Sequence, residues 1–158
     1  MTRGALKALD NYVQANLPGA RIQKCCESRC TLRLDDLRPF ILLKGEKVRP
    51  QQRMCDCIVF LERDSLIMAM AELKSGTVDV SQVVEKLRNG SRAAIAIVHA
   101  ASGTQRDIGA CFVVLARRWH RSEHKLLTHK SNRIRVEGTK HPILPRRCGT
   151  RLSGLLEP

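Results

Sequence analysis

Three residues in one stretch of the chain have the types and spacing for hydrolytic chemistry. In CDCIVFLERDSLIMAMAELKSG, residues 55–76, two apolar runs flank a polar turn, with Asp56 in the first run and Glu72 and Lys74 in the second. Side chains alternate faces along a strand, so Glu72 and Lys74, two apart, point to the same side. A hairpin centred on Asp64 puts Asp56 eight residues before the centre and Glu72 eight after it, which makes them cross-strand neighbours. Opposed carboxylates repel, and a buried charge left unpaired is costly. A divalent cation removes that conflict. Carboxylate oxygens suit hard ions such as Mg2+ or Mn2+, which keep several waters and bind through one or two protein carboxylates together with a phosphate. A lysine beside the ion can orient or deprotonate an attacking water, or stabilise charge on the phosphate. The competing reading is a plain surface Glu–Lys pair of little energetic weight. Against it, Ile67, Met68, Ala69, Met70 and Ala71 are apolar on both faces, as in a central buried strand, so charges at its end need a reason.

The elements around these residues follow from periodicity and punctuation. Residues 3–16 place apolar side chains at helical spacing, from Ala5 and Leu6 through Leu9, Tyr12 and Val13 to Leu17, and the Pro18-Gly19 pair stops the helix. Residues 20–50 contain one expected strand around Phe40 to Leu43. Residues 54–61 and 66–74 form the hairpin, split by the polar 62–65 turn. Asp79 or Ser81 caps a helix VSQVVEKLRNG that ends at Gly90. AAIAIVHA then reads as a buried strand, ACFVVLARRW as another, residues 121–130 as a short basic helix, and NRIRVEG and HPILPRRC as two late strands. The expected class is α/β, a mixed α+β sheet within one domain spanning 1–158, its core at about 3–100 and a basic C-terminal extension over about 101–158.

Cys55-Asp56 on one strand, then Ala71-Glu72-Leu73-Lys74 ending the next with a helix following, resembles the PD-(D/E)xK nuclease superfamily. The resemblance implies a restriction-endonuclease-like αβββαβ core, here with additional C-terminal strands and a short helix. It implies Asp56 and Glu72 as metal-binding acids, Lys74 as the catalytic lysine, and Mg2+-dependent phosphodiester cleavage with Mn2+ able to substitute. Two departures stand out. Cys55 replaces the proline that names the motif, and the first helix offers no glutamate as an extra acid, with Asp10 a weak stand-in and Glu27 beyond the helix. Gln82 opens the next helix much as a glutamine does in the exonuclease branch, whose tyrosine four residues later is replaced by Lys86; Gln82 joins the candidate catalytic residues on that ground.

Charge supplies an independent signal. The 158 residues carry a net charge of +13. Residues 1–54 hold 11 basic and 5 acidic groups, residues 55–100 hold 5 and 6, and residues 101–158 hold 12 and 4. Basic flanks around a slightly acidic centre suit a polyanion, nucleic acid being the commonest, although a solvated basic surface is the plainer alternative. Arg117, Arg118, Arg121, Lys125, Lys130, Arg146 and Arg147, with Arg151, are the candidate phosphate contacts. Only five residues are aromatic, which supplies single-strand stacking poorly and favours duplex or branched DNA over RNA. Alternatives are a non-catalytic nucleic-acid-binding module, or a nuclease subunit active only in a larger complex; a homodimer or a partner subunit is compatible with either.

The remaining motifs are weaker. Seven cysteines, an odd number without a secretory context, are expected as reduced thiols in an intracellular, cytoplasmic chain; a zinc cluster of Cys25, Cys26, Cys30, Cys55 and Cys57 lacks paired CxxC spacing, and Cys55 and Cys57 are expected on one strand face. No apolar run is long enough to imply a membrane span. His120, Glu123 and His124 match the HxxEH pattern of inverted zinc peptidases, but in a short, strongly basic segment. There is no GxxxxGK[ST] loop, no GxGxxG and no GxSxG elbow.

Overall fold

The computed structural model describes residues 4–103 and 107–156. Helix α1, Ala5–Asn16, buries Ala5, Leu9 and Val13 at the expected spacing, and the chain leaves it just before Pro18. Strand β3, Phe40–Lys44, pairs antiparallel with β4, Cys57–Glu62, which pairs antiparallel with β5, Leu66–Lys74. Helix α3, Val80–Ser102, then crosses over to β6, Ile108–Ala116, which lies parallel to β5; β9, Ile143–Arg147, adds parallel to β6. The result is a five-stranded mixed sheet in the order β3-β4-β5-β6-β9. The central strands are apolar on both faces because both faces are covered. One cluster packs Ile58, Phe60, Met68, Met70, Phe112 and Val114 under α1 and α3; the other packs Val59, Leu61, Ala69, Ala71 and Val113 on the opposite side. No helix among the described residues is long and apolar enough to cross a membrane.

Three expectations need correction. AAIAIVHA is not a strand, and Gly90 does not end a helix: α3 runs through both as one helix. Its buried residues include Val80, Val83, Val84, Leu87, Gly90, Ser91, Ala94, Ile97 and Val98, at three-and-four spacing along the helix, with Ala93 beside them. Alanine is the best helix former, and a short apolar run does not distinguish a strand from a buried helix by periodicity. Gly90 serves close packing: a Cβ there would lie 2.4 Å from Cys55 Sγ. The strand that follows the helix in the sheet is therefore β6.

The cysteines are the second correction. Cys25 is bonded to Cys57 and Cys30 to Cys148, while Cys26, Cys55 and Cys111 are free. Partners 32 and 118 residues apart, mixed with three unpaired thiols, left no spacing to recognise. The disulfides bind a small hairpin, β1 Cys25–Glu27 and β2 Cys30–Leu32, to the sheet face opposite α1 and α3. Its turn uses Ser28 and Arg29 at positive φ, without the glycine or asparagine that marks such turns.

Third, Cys55 and Cys57 do not share a face. Cys55 belongs to the cluster under α3 and Cys57 to the opposite one, because β4 begins only at Cys57 and strict alternation does not extend before it. Smaller elements also lay beyond the sequence reading: α2, Gly45–Val48; β8, Thr139–His141, paired with β7, Ile134–Val136; and α5, Ser153–Leu156. The basic helix α4 covers Arg121–Leu127, and a separate 3-10 turn spans Lys130–Asn132.

Candidate metal and phosphate site

The antiparallel ladder pairs Cys57 with Ala71, and one step further brings Asp56 opposite Glu72, as the hairpin spacing requires. Asp56 N donates to Glu72 Oε1 at 3.2 Å, and Leu73 N donates to Asp56 Oδ2 at 2.7 Å, so each carboxylate is pinned by a backbone N–H of the facing segment. Glu72 is only 1% exposed. Its other oxygen, Oε2, accepts from Lys86 Nζ at 3.0 Å and lies 3.3 Å from Lys74 Nζ. Glu72 and Lys74 thus share a face, and that face is the one covered by α3, which delivers Lys86.

The segment entering Asp56 is clamped by two glycines. A Cβ on Gly45 would lie 1.8 Å from the Cys55 carbonyl oxygen, and Gly90 closes on Cys55 from the helix side. Gly45 N also donates to Asp56 O at 3.0 Å. Only residues without a Cβ allow α2 and α3 to approach this closely.

The acids open onto a cavity of about 270 Å3 whose charged lining is Glu27, Lys44, Glu46, Asp56, Glu72, Lys74 and Lys86. Burial, reinforced by the Glu72 charge beside it, pushes the Asp56 carboxyl up to about 7. Burial works against the Lys86 ammonium, yet its hydrogen bond to Glu72 and the charges of Glu72 and Asp56 outweigh that and raise its pKa. Burial also keeps the Cys55 thiol protonated, with the two carboxylates adding to the effect, so Cys55 is packing and not a nucleophile.

The donor chemistry fits a hard divalent cation. Two facing carboxylates, one of them driven toward protonation, carry a charge conflict that such an ion relieves. Among the described residues no group of three or more His, Cys, Asp or Glu side chains is placed to hold a metal. Asp56 and Glu72 would therefore supply the protein's oxygens, with water and a phosphate completing the shell.

The other sequence candidates are distributed unevenly. Gln82 is exposed and does not line the cavity; its backbone N is what matters locally, donating to the Asp79 cap. In the parallel ladders Lys74 is level with Ala116, and Ala116 with Arg147, so Arg117, Arg118, Arg146 and Arg147 leave the sheet at the same edge as Lys74. All four are exposed, as are Arg121 and Lys125 on α4 and Lys130 beyond it. Arg151 is engaged elsewhere, 3.2 Å from Asp35 and 3.9 Å from Asp36. The HxxEH segment is a helix cap: Glu123 accepts from His120 N at 3.2 Å and from Val78 N at 3.1 Å, while His124 stands edge-on to Trp119.

Sequence reasoning missed Lys86, Glu27, Lys44 and Glu46. Lys86 had one available signal, its position between Val83 and Leu87 on the border of the buried stripe of α3. Glu27 had none, since the hairpin that carries it depends on distant cysteines.

Comparison with known proteins finds no family model that matches the chain, no similar curated protein and no similar solved structure.

Proposed function

We propose that the chain is a metal-dependent nuclease of the PD-(D/E)xK type, hydrolysing phosphodiester bonds in duplex or branched DNA with Mg2+, for which Mn2+ can substitute. The observation that carries the reading is the Glu72 carboxylate, 1% exposed, held against Asp56 and two lysines at the mouth of a charged cavity. The order α1, β3, β4, β5, α3, β6, with β1, β2 and α2 interposed, supports it as an order compatible with the core that the motif implies. The arginine-rich sheet edge beside Lys74 supports a phosphate backbone as ligand.

In this reading Asp56 and Glu72 hold the cation, which supplies Lewis-acid activation of the phosphate and charge neutralisation. Lys74, part-buried at the end of β5, orients or deprotonates the attacking water. As the new P–O bond forms, the bond to the leaving oxygen breaks, and that oxygen takes a proton from solvent or a lysine. Lys86 donates to Glu72 Oε2 and adds positive charge facing the phosphate. Arg117, Arg118, Arg146 and Arg147 hold the backbone on the flank, with Arg121, Lys125 and Lys130 extending the basic surface.

Purified protein with Mg2+ or Mn2+ is expected to nick plasmid or cut branched DNA, and Asp56→Ala, Glu72→Ala and Lys74→Ala to slow cleavage by about 100-fold or more. Folded wild type that leaves plasmid, branched DNA, single strands and RNA intact would sink the proposal, as would triad variants that cut at the wild-type rate. One observation favours a second reading, a non-catalytic binding module: two lysines already neutralise Glu72 without any metal. That module binds DNA equally well with and without divalent cations. A subunit that cuts only in complex is separated from it by activity on adding the partner chain.

A further inference from the structure

The β1–β2 hairpin has three residues on each strand, and a lone two-stranded hairpin of that size is marginal in water. Its turn is unfavourable as well, with Ser28 at φ 47° and Arg29 at φ 68°. Among the described strands β1 pairs only with β2. Besides the burial of Leu32 and a hydrogen bond that Gly149 N donates to Thr31 O at 2.8 Å, each strand is held to the sheet by a covalent bond: Cys25 of β1 to Cys57 of β4, and Cys30 of β2 to Cys148 just after β9. Both bonds end at the candidate site. Cys57 directly follows Asp56, and Cys148 Sγ lies 3.9 Å from the Lys74 carbonyl oxygen. The hairpin brings Glu27 to the cavity wall, and the Ser28 carbonyl receives the Arg117 guanidinium at 3.4 Å.

We propose that these two disulfides set the divalent-cation affinity of the Asp56–Glu72 site, so that the site responds to the thiol–disulfide state of its surroundings. This rests on the reading of Asp56 and Glu72 as cation ligands. In the oxidised chain Glu27 adds its negative charge to a cavity that already holds Asp56, Glu72 and Glu46, the last of these paired with Lys44 at 3.0 Å. In the reduced chain the hairpin loses its covalent hold and Glu27 its fixed place. The loss of one carboxylate charge at cavity distance in a hydrated site lowers cation affinity about fivefold to tenfold.

Cys25, Cys30 and Cys57 are buried while Cys148 is partly exposed, so a reductant of the dithiol class enters at Cys148. Its thiolate bonds to Cys148 Sγ, the Cys30–Cys148 bond breaks, and the electron pair leaves on Cys30, which takes up a proton. The second thiol of the reductant then attacks its own sulfur in the mixed disulfide, releasing the Cys148 thiol and leaving the dithiol oxidised to a disulfide. A second dithiol reduces Cys25–Cys57 in the same way once the hairpin lifts.

The test compares oxidised full-length protein with protein reduced by dithiothreitol, with alkylation counting the thiols in each state. Ca2+ affinity is measured by calorimetry, and tryptic cleavage after the exposed Arg29 by mass spectrometry. Reduction is expected to weaken Ca2+ binding about fivefold to tenfold and to speed cleavage at Arg29. Glu27→Gln in the oxidised protein is expected to reproduce the affinity loss while Arg29 stays protected. Equal Ca2+ affinity in the two states overturns the redox dependence alone, as does full thiol reactivity of the protein after oxidation. No Ca2+ binding in either state overturns the cation-site reading and the proposal with it, and Glu27→Gln binding like wild type overturns the role of Glu27.

Discussion

Asp56 and Glu72 face each other across the open end of a hairpin, and the consequences at residue scale are electrostatic. The Asp56 carboxyl titrates near 7 because it is buried and lies against another acid, whereas an unfolded aspartate titrates near 3.8. Without metal the folded chain therefore holds a proton that the unfolded chain has lost. The resulting stability is fully present below about pH 4 and is lost as pH rises through about 7. Asp56→Asn keeps an acceptor for Leu73 N and offers an amide to Glu72. Metal-free Asp56→Asn is expected to exceed wild type in stability by about 1–3 kcal/mol at pH 8 and to match it near pH 4. Urea melts across that pH range check the difference, and a gap that is constant with pH would contradict the titration. Adding Mg2+ at pH 8 should stabilise wild type and leave Asp56→Asn unchanged.

At the scale of elements, the site depends on how closely α2 and α3 approach the segment before β4. Gly90 sits in the middle of a 23-residue helix, where glycine ordinarily weakens helicity. Its Cβ would collide with Cys55 Sγ at 2.4 Å and crowd Met70 at 3.3 Å. Gly90→Ala is expected to destabilise the chain by about 1–3 kcal/mol, since overpacking outweighs the gain in helix propensity. In a Cys55→Ala background the clashing sulfur is gone, and the same substitution should cost less than about 1 kcal/mol. A double-mutant cycle by thermal or denaturant melts measures that coupling; additive effects would show that the close approach is not what Gly90 provides.

For the whole molecule, the sheet topology gathers positive charge at one edge. β6 and β9 both run parallel to β5, so their C-terminal arginines emerge beside Lys74. DNA binding through these groups should weaken with salt, and each lost phosphate contact should lower the slope of log K against log salt by about 1. Arg146→Ala and Arg147→Ala are expected to do so, while Arg151→Ala, whose guanidinium is paired with Asp35 and Asp36, leaves the slope unchanged. Filter binding at several salt concentrations decides it. A slope that Arg151→Ala lowers and Arg147→Ala does not would place the interface on another face.

The hairpin from Cys57 to Lys74 was legible in the sequence because every signal within it is local. Strand alternation, a polar turn and an equal count on either side of Asp64 suffice to pair Asp56 with Glu72, and the Pro18-Gly19 stop bounds α1 in the same way. The run 93–100 was not legible, because an alanine-rich apolar stretch satisfies strand and helix alike until the sheet behind it demands one of them. Lys86 joins Glu72, Gly90 packs on Cys55, and Glu27 reaches the cavity only through contacts between segments far apart in the chain. Local pattern thus determined which acids meet across the hairpin. Long-range packing and the disulfides decided what surrounds those acids, because contacts between distant segments leave no periodic trace in the residues that make them.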